Sequence, residues 1–220
     1  MRTVIFDLDG TLADTSADLI AAANHCFRGL GLGDVLDPVA DALTAFHGGR
    51  AMLRLGFSRV EGFGADEVDR QYPLLLAAYA DGIDRHTRLY PGAVEAVQAL
   101  RAAGYAVGIC TNKPEGLAEL LLHRLGVRGL FGSLVGADTL PVRKPDAAPY
   151  RAAVERAGGA VGRSFLLGDT ETDVRTARAA EVPCVLVTFG PEGQGIARLA
   201  PEALLDAYAD LPALAARLVP

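Results

Sequence analysis

The chain has 220 residues, half of them hydrophobic and 22% charged, with a formal net charge of −6 and a pI near 5.2. That is enough length for one good core and a small accessory module, and it excludes the broad basic surface that generic nucleic-acid binding uses. The ligand to expect is small.

Residues 3–8 form a short β-type run that stops at Asp-Gly-Thr, the pattern of a buried strand entering a loop. Residues 15–85 do not continue in that style. Helical patterns over 18–29, 39–45, 51–55 and 65–80 read as an insertion, which ends where Pro91 and Gly92 break the pattern. Strand and helix then alternate: helix 93–103, strand 105–110, helix 115–125, helix 147–157, strand 164–167, helix 171–180 and strand 184–189. Alternation implies a parallel sheet covered on both faces, so the fold class is α/β, a three-layer Rossmann-like core with a small helical cap inserted. The expected core is residues 1–14 and 87–220, and the expected cap is 15–86. Ligands of open parallel sheets bind at the carboxyl ends of the strands, and here those ends carry aspartates, Thr111 and Asn112.

Other features restrict the setting. No apolar stretch approaches the roughly 18–20 residues of a membrane helix. The N-terminus lacks the shape of a signal peptide. Cys26, Cys110 and Cys184 are odd in number and far apart, which supports neither a disulfide framework nor a CxxC metal site. His25, His47, His86 and His123 have no ligand spacing. The expectation is a soluble, unprocessed cytoplasmic protein with no membrane or nucleic-acid partner, monomeric or homodimeric.

At the end of the first strand Asp7 and Asp9 are two residues apart, so both can reach one ligand. Such a pair can divide labour, one carboxylate attacking phosphorus and the other handling the leaving-group proton; an Asp-Gly turn is the alternative. Gly10 lets the backbone approach a bound phosphate. A second acidic group, Asp169, Glu171 and Asp173, follows the strand at 164–167. Carboxylates gathered at strand ends repel one another unless a hard cation such as Mg²⁺ is bound, although helix-dipole stabilisation also accounts for Glu171 and partly for Asp173. Thr111 and Asn112 suit phosphoryl oxygens, or a turn. Lys113 and Lys144 are the only lysines among 21 basic residues, which makes each conspicuous. Lys144 can set a point charge against a transferring phosphoryl group.

DLDGT at 7–11, TN at 111–112, KP at 144–145 and GDTETD at 168–173, in this order, resemble the four motifs of the haloacid dehalogenase superfamily. The early helical insertion, Tyr90-Pro91-Gly92, TNKP at 111–114 and the tail over 201–214 resemble its phosphoglycolate phosphatase branch. The resemblance implies a magnesium-dependent phosphomonoesterase of small phosphorylated metabolites, with phosphoglycolate leading, that works through a phosphoaspartate. It implies Asp7 as nucleophile and Asp9 as general acid and then base. It places Mg²⁺ on the Asp7 side chain, the Asp9 carbonyl and the Asp169 side chain. Thr111, Asn112 and Lys144 would hold the phosphoryl oxygens, and Asp173 would orient Lys144 or a metal-bound water.

The chain departs from the pattern at Ala147, where proline is common, and at Glu181, where glycine usually ends the helix; both predict only local changes at helix termini. The loop 46–50 aligns loosely, and its Arg50 either binds a substrate carboxylate or is a surface residue. Asp9 argues against a dehalogenase, and a cap without lysine argues against a phosphonate-cleaving relative. A sugar-phosphate mutase of the β-phosphoglucomutase type shares the motifs and stays open. A non-catalytic phosphate-binding protein would have lost Asp7 or Asp9, and neither is lost.

Overall fold

The computed structural model describes residues 1–219. Two compact units divide the chain: Met1–Ala13 with everything from Leu89 onward, and Asp14–Arg88. The strands of the first unit are β1 (Thr3–Phe6), β4 (Ala106–Cys110), β5 (Ser133–Val135), β6 (Ser164–Gly168), β7 (Cys184–Val187) and β8 (Ala203–Leu205). The chain passes between units at β2 (Ala13–Asp14) and β3 (Arg88–Leu89), which pair as a two-stranded sheet.

The large sheet runs β5-β4-β1-β6-β7-β8, and its recorded pairings are all parallel. Its middle strand, β1, is buried along its whole length, as a strand covered on both faces must be. Successive side chains alternate between faces. Ile5 joins a core cluster with Tyr150, Val154, Val174 and Ala177 of α7 (Ala147–Arg156) and α8 (Glu171–Ala180). Phe6 points to the other face and meets Phe131 edge-on, with centroids 6.0 Å apart; helices α5 (Ala93–Ala102), α6 (Glu115–Arg124) and α9 (Leu211–Leu218) complete the unit.

Register decides what meets at the sheet's end. Phe6 is level with Ile109 of β4 and Leu167 of β6, so the chain leaves the sheet at one height around Asp7, Thr111 and Asp169. From β1 the chain turns first to β4 and β5 on one side and then crosses to β6, β7 and β8 on the other, which makes the end of β1 the topological switch point where such sheets take ligands.

The helical unit contains α1 (Ser16–Gly29), α2 (Ala42–Ala45), α3 (Gly49–Ser58) and α4 (Ala65–Asp81). Phe27 of α1 and Phe57 of α3 pack edge-to-face at 5.1 Å. Buried Asp18 accepts the N–H groups of His86 and Thr87 and the Thr87 hydroxyl, tying the unit's end to its start.

Several expected elements are corrected. The helix expected from residue 39 starts at Ala42, because Asp37 Oδ1 takes the N–H groups of Val39 and Ala40 and Asp41 Oδ2 takes that of Asp37, a turn that competes with the helix. The helix expected over 51–55 runs from Gly49 to Ser58. Strands β5 and β8 and helix α9 were not anticipated; three-residue edge strands are too short to show a period. Among the described residues no helix is long and apolar enough to cross a membrane.

Candidate active site

Asp7 is the first residue beyond β1. Its backbone N–H donates to Leu167 O (2.8 Å), its Oδ1 accepts the Leu8 N–H (2.7 Å) and its Oδ2 lies 3.0 Å from Lys144 Nζ. The same ammonium group donates to Asp173 Oδ1 at 2.7 Å. Asp173 stands in the first turn of α8, fully buried, and its Oδ2 accepts the N–H groups of Asp169 and Thr170 and the Thr170 hydroxyl. The helix N-terminus thus fixes Asp173, and Asp173 fixes Lys144.

Asp169 follows β6. Its Oδ1 accepts the Thr11 hydroxyl at 2.8 Å, while its Oδ2 is the one buried side-chain polar atom without a hydrogen-bond partner among the described residues. Oxygens of Asp7, Asp169 and Asp173 lie within 4.8 Å of one another. Burial pushes the Asp7 carboxyl from 3.8 up to about 6; Lys144 opposes the rise, and Asp173 and Asp9 add to it. Asp169 is driven well above the usual range by burial and then by Asp173 and Asp7, against the Thr11 hydrogen bond. Burial pulls Lys144 down, but the carboxylates of Asp173 and Asp7 more than offset it, and the lysine stays charged.

This arrangement fits a divalent cation. Lys113 pairs with Asp9, and Lys144 with Asp7 and Asp173, so these two lysines offset two of the four formal negative charges of Asp7, Asp9, Asp169 and Asp173, and a buried, unpartnered carboxylate oxygen costs free energy that a hard oxygen-seeking ion relieves. Of the three clustered carboxylates, Asp173 is the poorest ligand, since its Oδ2 already accepts three hydrogen bonds and its Oδ1 holds the Lys144 ammonium; Asp169 has an oxygen without a partner and Asp7 has one donor on each oxygen, so these two suit the ion better.

The other expected residues fall as follows. Asp9 Oδ1 accepts from Lys113 Nζ at 2.6 Å. Thr111 Oγ1 accepts the Lys113 N–H at 3.2 Å, and the Asn112 amide donates to the Lys144 carbonyl at 3.0 Å, joining the β4 end to the loop that carries Lys144. Gly10 has φ +78°, a conformation few other residues adopt, and turns the chain between Asp9 and Thr11. All of these belong to the α/β unit. Arg50 belongs to the helical unit, on α3, where it is exposed, ion-paired with Asp69 and stacked over the Tyr72 ring at 4.3 Å. Lys113 was given no site role from sequence, yet its side chain is only 3% exposed against the first motif; the scarcity of lysine was the signal that marks it.

A sequence profile for haloacid dehalogenase-like hydrolases matches residues 4–187. The chain belongs to that family. This haloacid dehalogenase-like hydrolase is 39% identical over 219 residues to a phosphoglycolate phosphatase of Agrobacterium fabrum strain C58, an alignment covering 98% of the chain and 93% of the relative. It is 37% identical over 218 residues to one of Mesorhizobium japonicum, covering 98% and 96%. Among solved structures, that of a predicted phosphoglycolate phosphatase from Haemophilus somnus 129PT superposes with a TM-score of 0.83 at 25% identity and covers 97% of each chain. The chain is thus an enzyme, a hydrolase of the phosphatase kind.

Proposed function

We propose that this hydrolase is a magnesium-dependent phosphomonoesterase of small phosphorylated metabolites in the cytoplasm, with phosphoglycolate as the first candidate, and that it works through a phosphoaspartate on Asp7. The observation that carries the reading is the Lys144 bridge between Asp7 and Asp173 beside the unpartnered oxygen of Asp169. Names of full-length relatives support the choice of phosphoglycolate.

In the first half-reaction the Asp7 carboxylate attacks phosphorus, the ester P–O bond breaks, and Asp9 protonates the departing alcohol oxygen. In the second, Asp9 takes a proton from water as the water oxygen attacks the same phosphorus; the bond to Asp7 breaks and phosphate leaves. Lys144 stabilises charge on the transferring group and keeps Asp7 ionised as a nucleophile. Thr111, Asn112 and the backbone at Gly10 orient the phosphoryl oxygens. The Asp7 and Asp169 side chains and the Asp9 carbonyl would hold Mg²⁺, which would supply further neutralisation of phosphoryl charge. Asp173 acts by positioning Lys144. Arg50, ion-paired with Asp69 in the helical unit, is the candidate for a substrate carboxylate, with a surface role as the alternative.

The test is phosphate release from a panel of phosphorylated metabolites, including phosphoglycolate, in Mg²⁺ or EDTA, for wild type, Asp7→Asn and Arg50→Ala. Release that needs Mg²⁺ and disappears in Asp7→Asn is expected, with Arg50→Ala raising KM only for carboxylate-bearing esters. Activity surviving Asp7→Asn would overturn the nucleophile, and interconversion of phosphoglucose isomers without net phosphate release would move the enzyme to the mutases.

A further inference from the structure

The two lysines of the chain divide the two aspartates of the first motif between them. Lys144 meets Asp7, and Lys113 meets Asp9 with Nζ 2.6 Å from Oδ1. Lys113 is anchored at both backbone groups: its N–H donates to Thr111 Oγ1 and its carbonyl accepts the Ala137 N–H at 2.9 Å. Its side chain is buried, at 3% exposure against 17% for that of Asp9, so this is no solvated surface charge. Asp9 lies in the loop beyond β1, directly before Gly10 and its positive φ. Lys113 stands three residues beyond β4, held in place by those two backbone hydrogen bonds.

We propose that Lys113 is a positioning residue for Asp9, holding Oδ1 through both half-reactions so that the carboxyl group is presented first to the leaving oxygen and then to water. The inference rests on the acid and base role given to Asp9 above. The proton travels from Asp9 to the leaving alkoxide and returns to Asp9 from water; Lys113 keeps its own protons and acts as a donor throughout. A side chain bound on one oxygen by a buried donor has few orientations left, and a misplacement of about 1 Å in such a group is enough to lose about 10²-fold in rate.

Leaving-group chemistry separates this role from general charge compensation. An alkyl phosphate needs its leaving oxygen protonated; 4-nitrophenyl phosphate, whose leaving group departs as a stable anion, does not. The experiment measures kcat/KM with Mg²⁺ on the best alkyl phosphate of the panel and on 4-nitrophenyl phosphate, for wild type, Lys113→Met, Lys113→Arg and Asp9→Asn. Both esters are assayed on one preparation, so their ratio does not depend on how much of the variant is folded. Lys113→Met should lose about 10- to 100-fold more on the alkyl ester than on the aryl ester, part of the 10²–10⁴-fold that general acid catalysis contributes. Lys113→Arg keeps the cation on a longer planar head and should shift the ratio the same way by several-fold, which carries the test if the Met variant does not fold.

Equal losses on both esters in the Lys113 variants, with Asp9→Asn still discriminating, would overturn the positioning role and leave that of Asp9 intact. A loss confined to KM for carboxylate-bearing esters would overturn it in favour of a substrate anchor. An Asp9→Asn variant that does not discriminate would overturn the acid itself, and the inference with it.

Discussion

Lys144 joins Asp7 and Asp173 through a single ammonium group, 3.0 Å from Asp7 Oδ2 and 2.7 Å from Asp173 Oδ1, with all three side chains largely withdrawn from water. Removing one partner of such a group strands the others as buried charges, which is more damaging than removing the ionic set together. Lys144→Met should therefore abolish turnover and destabilise the fold by about 3–5 kcal/mol. Asp7→Asn removes a carboxyl already raised by burial and should cost little or nothing. Adding Asp7→Asn to Lys144→Met should recover part of the loss. Urea unfolding of the four proteins in EDTA gives the cycle, and strictly additive changes would count against a coupled site.

The metal-free protein should weaken as pH rises through the window set by Asp7. Its folded carboxyl titrates near 6 against 3.8 for the ordinary group, so between these values the folded state binds more protons than the unfolded state. Stability from this group is full below about pH 4 and lost above about pH 6, on the order of 3 kcal/mol at most; Asp169, also raised by burial, contributes in the same direction. Mg²⁺ competes with those protons. At pH 7.5 a concentration 100 times the dissociation constant should stabilise by about 2.7 kcal/mol, and at pH 5 by much less. Thermal melts with Mg²⁺ or EDTA at both pH values check this; equal stabilisation at pH 5 and 7.5 would contradict it.

Gly168, the last residue of β6, leaves room for Asp173. A methyl group there would stand 2.3 Å from Asp173 Cγ and 2.5 Å from its Cβ. Gly168→Ala should push Asp173 off Lys144, giving at least about 100-fold lower kcat and about 2–3 kcal/mol lower stability, typical of overpacking a tight site. Activity and chemical unfolding measured together would show whether both fall.

Glu181 ends α8 in the left-handed conformation, φ +60° and ψ +44°, a geometry that glycine adopts without strain. A non-glycine residue pays roughly 1 kcal/mol for that geometry. Glu181→Gly should raise stability by up to about 1 kcal/mol, or about 2–4 °C in Tm for a chain of this size, and leave kcat unchanged. A scanning calorimetry trace of each protein decides.

Much of this molecule is legible in its sequence. The uninterrupted run ending at Asp7, the strand and helix alternation after residue 93, and the order of the four motifs are local patterns of hydrophobic period and turn chemistry, and they yield the α/β class and the family. The departures at Ala147 and Glu181 were visible as well. At Ala147 the helix simply starts, with Asp146 accepting the Ala148 N–H, and at Glu181 the chain takes the strained turn.

The pairings inside the site were decided by the tertiary structure. Asp9 and Lys113 are 104 residues apart, Thr11 and Asp169 158, Asn112 and Lys144 32. Sequence named Asp9, Asn112, Lys144 and Asp169 as site residues without their partners, and gave Thr11 and Lys113 no role; the register of β1 against β4 and β6 brought the strand ends together. The edge strands β5 and β8 were equally out of reach, because three residues carry no period and their pairing energy comes from neighbours distant in the chain. The sequence by itself determined which chemical groups stand at the strand ends, since these are properties of short segments; only the fold decided which carboxylate each buried lysine holds, since that depends on long-range packing.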